Sequence, residues 1–406
     1  MSSQADAATP TQPTRLLHLD ALRGFALVGI LIVNIATFAS AYYAGAVPDP
    51  LYNRPIDHLV RWLASALFET KFYILFSFLF GYSFVLQMDA AEQGGAAFVP
   101  RMLRRLLGLL LLGAAHAFWL YHGDILVTYA VLGLLLLVVR RQSERQAFRR
   151  ACVFTLLPAV MLVSMGLVQS MYGQPVDLAG PTLRAAAAQK FWLGSTADIV
   201  GQRVRELGNA WWVVVLVQGP CAFAMFMVGA AAGRRRVFAQ LDAYRSLWPR
   251  LITWGLAVGL PGAMFYASAT LWGQGTGWEL TGLGVSLVTA PFLSAAYMGM
   301  AMTLFERKAG LRIAQVLAPA GRMALSNYLA QSLVCALVFT GYGFGLMGRV
   351  SPLGSVLVAL GLFGCQMVAS RWWLGRFRYG PVEWALRALT TAAWPAMRRE
   401  AESRTR

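Results

Sequence analysis

A chain of 406 residues with 58% hydrophobic and only 13% charged side chains carries about half the charge of a soluble domain, in which roughly a quarter of residues are charged. Apolar runs recur from Leu22 to Ser370 with short polar gaps, for a mean hydropathy of +0.55, which excludes a soluble enzyme with one anchor, a disulfide-rich secreted module and a disordered chain. The net charge of +17, from 35 basic and 18 acidic residues, reads as membrane topology, so no nucleic-acid partner is expected.

Residues 1–14, rich in Ser, Ala, Thr, Gln and Pro, read as a disordered leader. With about 20 apolar residues needed to cross a bilayer, ten spans are predicted, at 22–42, 62–88, 106–121, 124–139, 151–171, 210–232, 250–272, 280–304, 322–346 and 350–371. The first follows Arg15 and Arg23 and reaches Ala39-Ser40-Ala41, a signal-cleavage pattern. Its length and the polar Asn34 within it favour a retained helix.

The gaps then alternate in charge. Arginines crowd 89–105, 140–150, 233–250, 305–322 and the tail from Arg371, whereas 122–123 and 273–279 have no Arg or Lys. Positive charge in short loops resists translocation, so both termini are expected in the cytoplasm, with an even number of spans. A long outside loop segment, 173–209, separates a first five-helix half (15–172) from a second (210–371), and any structural repeat between two five-helix halves must be inverted. No self-similarity is visible. The tail 372–406 carries a helix around Glu383-Trp384-Ala385-Leu386-Arg387, expected on the cytoplasmic membrane surface, with a lid over a cofactor site as the alternative. The fold class is thus an all-α polytopic membrane protein of about ten helices, expected in a bacterial inner membrane.

Ionisable and amide side chains inside spans are costly and are functional candidates by default. Here they are Asn34, Glu69, Lys71, His116, the turn His122-Gly123-Asp124, Gln218, Glu279, Asn327, Gln331 and Gln366. With the first helix running outward, the second inward and the third outward, Asn34, Glu69, Lys71, His116, His122 and Asp124 all fall in the outer half. Glu69 and Lys71, two residues apart, point about 200° apart on a helix and each needs its own partner. The alternative is a break at Glu69-Thr70-Lys71, where an interfacial helix meets the span and Lys71 snorkels to headgroups. His116 is either a hydrogen-bonded packing residue or, with Asp124 fixing its tautomer, a general base. His58 is an alternative base or an ordinary loop histidine. Asp20 and Arg23, three apart, pair on one helical face at the inner surface, or Arg23 meets a phosphate. The four cysteines lie in apolar runs and offer no metal spacing.

Five strings in order resemble the YeiB family, a domain family of unknown function: Leu19-Asp20-Ala21-Leu22-Arg23-Gly24 followed by Asn34; Lys71-Phe72 leading to Leu79-Phe80-Gly81; His116 with Gly123-Asp124-Ile125-Leu126; Arg322 to Tyr328; and Gly380-Pro381-Val382-Glu383-Trp384. The resemblance spans about Leu19 to Thr390. That family is in turn similar, more distantly, to transmembrane acyltransferases such as heparan-alpha-glucosaminide N-acetyltransferase, which move an acyl group from cytosolic acyl-CoA to a sugar across the membrane. Asp20, Arg23, Gly24 and Asn34 match their first-helix pattern; the histidine of the outer loop falls at His58, at longer spacing. His116 matches the histidine of the YeiB pattern, and His122 stands where that pattern can have an acidic residue.

Together these imply an acyltransferase taking acyl-CoA, acetyl-CoA above all, as co-substrate and an envelope glycan or lipid-linked acceptor. In it His116 is the base, Asp124 its orienter and Asn34 the oxyanion donor. Lys71, Glu69, His122 and His58 are supporting or alternative, and Arg23 and Asn327 are assigned to the cofactor. No metal is expected, and a homodimer is left open. The rival expectation is a small-solute transporter, for which intramembrane polar residues and the helical prolines Pro158, Pro220, Pro261 and Pro291 are equally natural.

Overall fold

The computed structural model describes residues 15–399 and is helical throughout; the leader expected at 1–14 lies outside them. The helices are α1 (Arg15–Ala39), α2 (Ala41–Ala44), α3 (Pro55–Leu67), α4 (Lys71–Gln93), α5 (Phe98–Trp119), α6 (Leu126–Val139), α7 (Glu144–Tyr172), α8 (Ala179–Trp192), α9 (Thr196–Val213), α10 (Gly219–Arg234), α11 (Leu247–Trp272), α12 (Gly277–Phe305), α13 (Lys308–Arg322), α14 (Ala324–Phe339), α15 (Pro352–Arg376) and α16 (Pro381–Thr391).

Among the described residues, seven helical stretches are long and apolar enough to cross a membrane, or eight if α13 and α14, which meet at a 75° bend, form one span. The seven are α1, α3 with α4, α7, α9 with α10, α11, α12 and α15. The 14 residues of α6 extend about 21 Å at 1.5 Å per residue, short of a hydrocarbon core of about 30 Å. In α5 the first two turns carry Arg101, Arg104 and Arg105, which leaves a comparably short apolar stretch.

The helices interlock across the middle of the chain. α1 packs on α13, α14 and α15, α4 on α10, and α7 on α12. Where oily side chains already face oily lipid, close backbone approach drives such packing, and small residues permit it. On the α4–α10 crossing, a Cβ at Gly81 would strike the Phe226 carbonyl and one at Gly229 would strike the Phe78 carbonyl, so each helix seats the other's backbone. Gly24 and Gly321 do the same for α1 and α13.

Two segments depart from the sequence reading, and a third settles an alternative. The stretch 173–209, expected as a long outside loop segment, is mostly helical; Ser195 and Asp198 form a reciprocal capping box that starts α9. α9 joins α10 through a five-residue π-helical turn, Val214–Gln218. Residues 308–322, expected as a basic loop, form the amphipathic helix α13. The break expected as one reading of Glu69-Thr70-Lys71 is present: α3 ends at Leu67, and Thr70 adopts φ 64°, a left-handed conformation uncommon outside glycine.

Candidate functional site

Two cavities lie in series inside the bundle. The larger, about 230 Å³, runs from Arg23, Ser83, Arg105, Arg322 and Glu383 at one end past Leu79, Phe80 and Tyr129 to Ile30, Ile125 and Tyr328. The smaller, about 100 Å³, is lined by the same Ile30, Ile125 and Tyr328 and continues to Asn34, Thr70, Gly123 and Gln218. The shared three residues form the partition between a cationic vestibule and a polar chamber.

Arginine supplies the vestibule's charge. Arg23 donates to Asp20 and Ser83, both at 2.6 Å, so the helical pair expected from the sequence forms and still leaves Arg23 on the cavity wall. Arg105 has a buried Nε with no hydrogen-bond partner among the described residues. α16 closes this end. Glu383 accepts from the backbone N–H groups of Leu325 at 2.7 Å and Ser326 at 3.0 Å and from the Ser326 hydroxyl at 2.5 Å. Its carboxylate thereby caps the N-terminus of α14, where free N–H groups and the helix dipole favour negative charge. Leu386 and Leu389 fill the notch at Gly108 of α5. α16 is thus docked on α5 and α14 through its acidic residue and its leucines, and it lines the cavity.

The chamber sits where two helices lose regularity. Thr70 borders it at the α3–α4 break and Gln218 at the end of the π-helical turn. Irregular backbone at membrane depth is tolerated only where protein or a water-filled cavity receives its polar groups, and π turns recur at functional sites. Asn34 lines the chamber, and its Oδ1 accepts from the Tyr121 hydroxyl at 3.4 Å, which in turn is 2.9 Å from Thr37 Oγ1.

His116 is held differently. Its Nδ1 is 2.8 Å from Asp124 Oδ1 and its Nε2 is 2.8 Å from Ser332 Oγ. A carboxylate only accepts, so in the neutral imidazole Nδ1 carries the proton and Nε2 accepts from Ser332. Asp124 is itself fixed by the Val127 N–H at 2.7 Å. The imidazole, 2% exposed, lines neither cavity; the ring of Tyr328, 4.9 Å away, is on the wall while His116 lies behind it. The expected Asp–His pair therefore forms, with Tyr328 between it and the chamber. Ser332 was not foreseen, since a serine in an apolar run carries no signal of its own.

The remaining candidates separate from this group. Glu69 accepts from Tyr43, and from Tyr266 at 2.9 Å. Lys71 donates to the Ser65 carbonyl at 3.0 Å and lies 5.1 Å from the Tyr266 ring centre. The two find different hydrogen-bond acceptors and donors, as their spacing requires, but Lys71 is fully buried and does not snorkel. His58, on α3, lines neither cavity. His122 stacks on Trp192 at 5.6 Å, beside a separate small cavity. Asn327 spends both amide hydrogens on Ala320 O and Ser370 Oγ, each at 3.0 Å, and ties α14 to α13 and α15 rather than lining the vestibule.

A helical multi-pass membrane protein with a cationic vestibule leading to a buried polar chamber is the class these features define. The chain belongs to the family of the YeiB and YxaH proteins. It is 34% identical over 405 residues to the uncharacterized protein YxaH of Bacillus subtilis, covering 94% of this chain and 97% of that one. It is 28% identical to the uncharacterized protein YeiB of Escherichia coli, covering 94% and 98%. The family model described as "Protein of unknown function (DUF418)" matches residues 232–393, the part that contains Arg322, Ser332 and Glu383.

Proposed function

We propose that this protein is an inner-membrane acyltransferase that takes an acyl group from cytoplasmic acyl-CoA and delivers it to a hydroxyl or amine of an envelope glycan or lipid-linked acceptor. The observation that carries the reading is the pair of cavities sharing Ile30, Ile125 and Tyr328, with arginines at one end and Asn34 at the other. At about 230 Å³ the vestibule is smaller than the roughly 300 Å³ at which sites enclose drug-sized ligands. It suits a slender thioester arm, with the nucleotide phosphates held outside near Arg23, Arg105 and Arg322.

In this reading α5 and α6 also cross the membrane. With α13 and α14 counted as one span the total is ten, and both termini and the arginine-rich vestibule face the cytoplasm. The acyl carbonyl reaches the chamber, where Asn34 Nδ2 donates to the developing oxyanion. Once the Tyr328 ring that screens it from the chamber turns aside, His116, polarised through Nδ1 by Asp124, exchanges its bond to Ser332 for one to the acceptor and takes its proton at Nε2. The new O–C or N–C bond forms, the C–S bond breaks, and the CoA sulfur leaves as thiolate and takes the proton held at His116 Nε2, which restores the neutral imidazole.

Two variants test the assignment together. His116→Ala removes the base and abolishes thioester consumption, whereas Ser332→Ala frees Nε2 and keeps it. If both variants retain wild-type turnover, the base assignment is wrong. If both lose it in step with melting temperature, the three residues are only a clamp between α5 and α14.

A second reading, passage of a small solute, is favoured by the two helix breaks at Thr70 and Val214–Gln218 that flank the chamber, because transporter sites are commonly built on discontinuous helices. It requires flux in proteoliposomes without acyl-CoA, altered by Asn34→Ala.

A further inference from the structure

A third cavity, of about 540 Å³, lies across α4 from the vestibule: Phe76, Leu79 and Phe80 line the vestibule, whereas Ile74, Leu75 and Phe78 line this one. Its flanks are α7 and α12. Toward one end these two helices touch backbone to backbone, where a Cβ at Gly166 would strike the Gly277 carbonyl and one at Gly284 the Ala159 carbonyl. From Leu156 on α7 and Val288 on α12 toward the other end, the cavity takes the place of that contact. Pro158 and Pro291 stand at the boundary, and a proline inside a helix removes a backbone hydrogen bond and favours a bend.

Three lining residues, Phe148 and Leu156 of α7 and Phe292 of α12, are exposed, so the gap opens on the outer surface of the bundle between these helices. Trp248, stacked on Phe238 at 6.0 Å, closes it on the inside. Ser294, one of its few polar side chains, already donates to the Lys71 carbonyl at 2.7 Å. Apolar cavities stay free of water, and the volume falls within the roughly 300–1,000 Å³ of ligand sites, so hydrocarbon is the occupant it suits. The lining reaches Leu247, the first residue of α11, and Ala232, near the end of α10, and the cavity thus extends to the arginine-rich stretches 140–150 and 233–250. Arg145 and Arg149 stand three residues before Phe148 and Cys152, on the same face of α7. Arg245 and Arg250 flank Leu247 and Trp248. These four arginines are exposed and form no salt bridge among the described residues, whereas Arg235 and Arg236 are paired with Glu144 and Asp89.

We propose that this cavity holds one fatty-acyl chain of an anionic phospholipid, with the chain between α7 and α12 against α4 and the phosphate among Arg145, Arg149, Arg245 and Arg250. An uncharged tail would use none of these arginines, and basic pockets between membrane helices bind anionic headgroups. Lying across α4 from the vestibule, the site is separate from the acyl-transfer reading.

The test is native mass spectrometry of the purified full-length protein, delipidated in neutral detergent and titrated with dioleoylphosphatidylglycerol or dioleoylphosphatidylcholine, which share their chains. The first phosphatidylglycerol should bind more tightly than the first phosphatidylcholine. Each arginine near an anionic phosphate contributes about fivefold, so the double variant Arg145→Gln with Arg149→Gln should weaken that phosphatidylglycerol roughly 25-fold and leave phosphatidylcholine unchanged. Ala295→Phe, which fills the gap from α12, should remove the first-site binding of both lipids; if it does not fold, Thr155→Phe does the same from α7. Equal affinity for the two lipids, or first-site binding that the filling variant leaves intact, overturns the proposal. Farnesyl phosphate binding the same site more tightly than phosphatidylglycerol also overturns it, because the occupant is then an isoprenoid.

Discussion

Replacing Glu383 by alanine should release α16 from the mouth of the vestibule. The carboxylate accepts three hydrogen bonds, from Leu325 N, Ser326 N and Ser326 Oγ, at 2.7, 3.0 and 2.5 Å. Hydrogen bonds to a charged group contribute about 1.5–3 kcal/mol where buried. Glu383 is half-buried and water takes over part of each bond, so about 1 kcal/mol apiece is the appropriate scale, or about 3 kcal/mol in all. At 1.4 kcal/mol per tenfold, the opened form of α16 should become roughly 150-fold more populated. Hydrogen–deuterium exchange of the backbone amides from Ala385 to Thr391 reads this directly, with exchange faster by about two orders of magnitude there and unchanged in α11 and α12. Exchange in α16 that matches wild type would refute the assignment of Glu383 as the anchor and leave the docking to Leu386, Leu389, the bond that Arg104 Nε donates to the Thr390 carbonyl and the one that Val382 N donates to Ser326 Oγ.

Other outcomes follow from the packing and the site. Gly81→Ala drives a Cβ into the Phe226 carbonyl, a backbone contact that cannot rotate away, and should cost about 1–3 kcal/mol in thermal unfolding, whereas Gly364→Ala, with open space around it, should lie within about 0.5 kcal/mol of wild type. His122, in the turn between α5 and α6, is held down to about 4 by burial and by the nearby Arg203. It stays neutral in the folded protein while the unfolded chain takes up a proton near 6.5. Its contribution is complete above 6.5 and is lost as pH falls toward 4, so melting temperature should drop across that window, and less steeply in His122→Gln; equal slopes would refute it. Exchanging the solvent-facing ion pair of Arg235 and Glu144 for Arg235→Ala should leave melting temperature unmoved, since exposed pairs contribute little.

The nearness of Asn34, His116 and Asp124 was legible in the sequence; the direction each side chain faces was not. Hydropathy located most of the apolar helices but not the bend between α13 and α14 or the start of the α9–α10 stretch at Thr196, and the similar heights expected for Asn34, His116 and Asp124 anticipated that they would lie near one another. Depth, however, does not fix azimuth, because each residue turns about 100° around a helix. Asn34 faces the chamber while His116 turns behind Tyr328 toward Ser332, and Glu69 and Lys71 face Tyr266 on α11. α13 was hidden because its basic face reads as a loop when the apolar face has no known partner. Glu383 stands in a basic tail whose composition points to lipid, and only the location of the α14 N-terminus gives it an internal partner.

The most direct test of the central claim is release of free CoA thiol by the purified, reconstituted protein, supplied with acetyl-CoA and longer acyl-CoAs and with an extract of envelope glycans and lipids as acceptors. Thiol release that depends on the acceptor extract, and that falls at least about a hundredfold in folded Asn34→Ala, is the expected result. No release with any acyl chain, or release that Asn34→Ala leaves unchanged, contradicts an acyl-transfer chamber at Asn34.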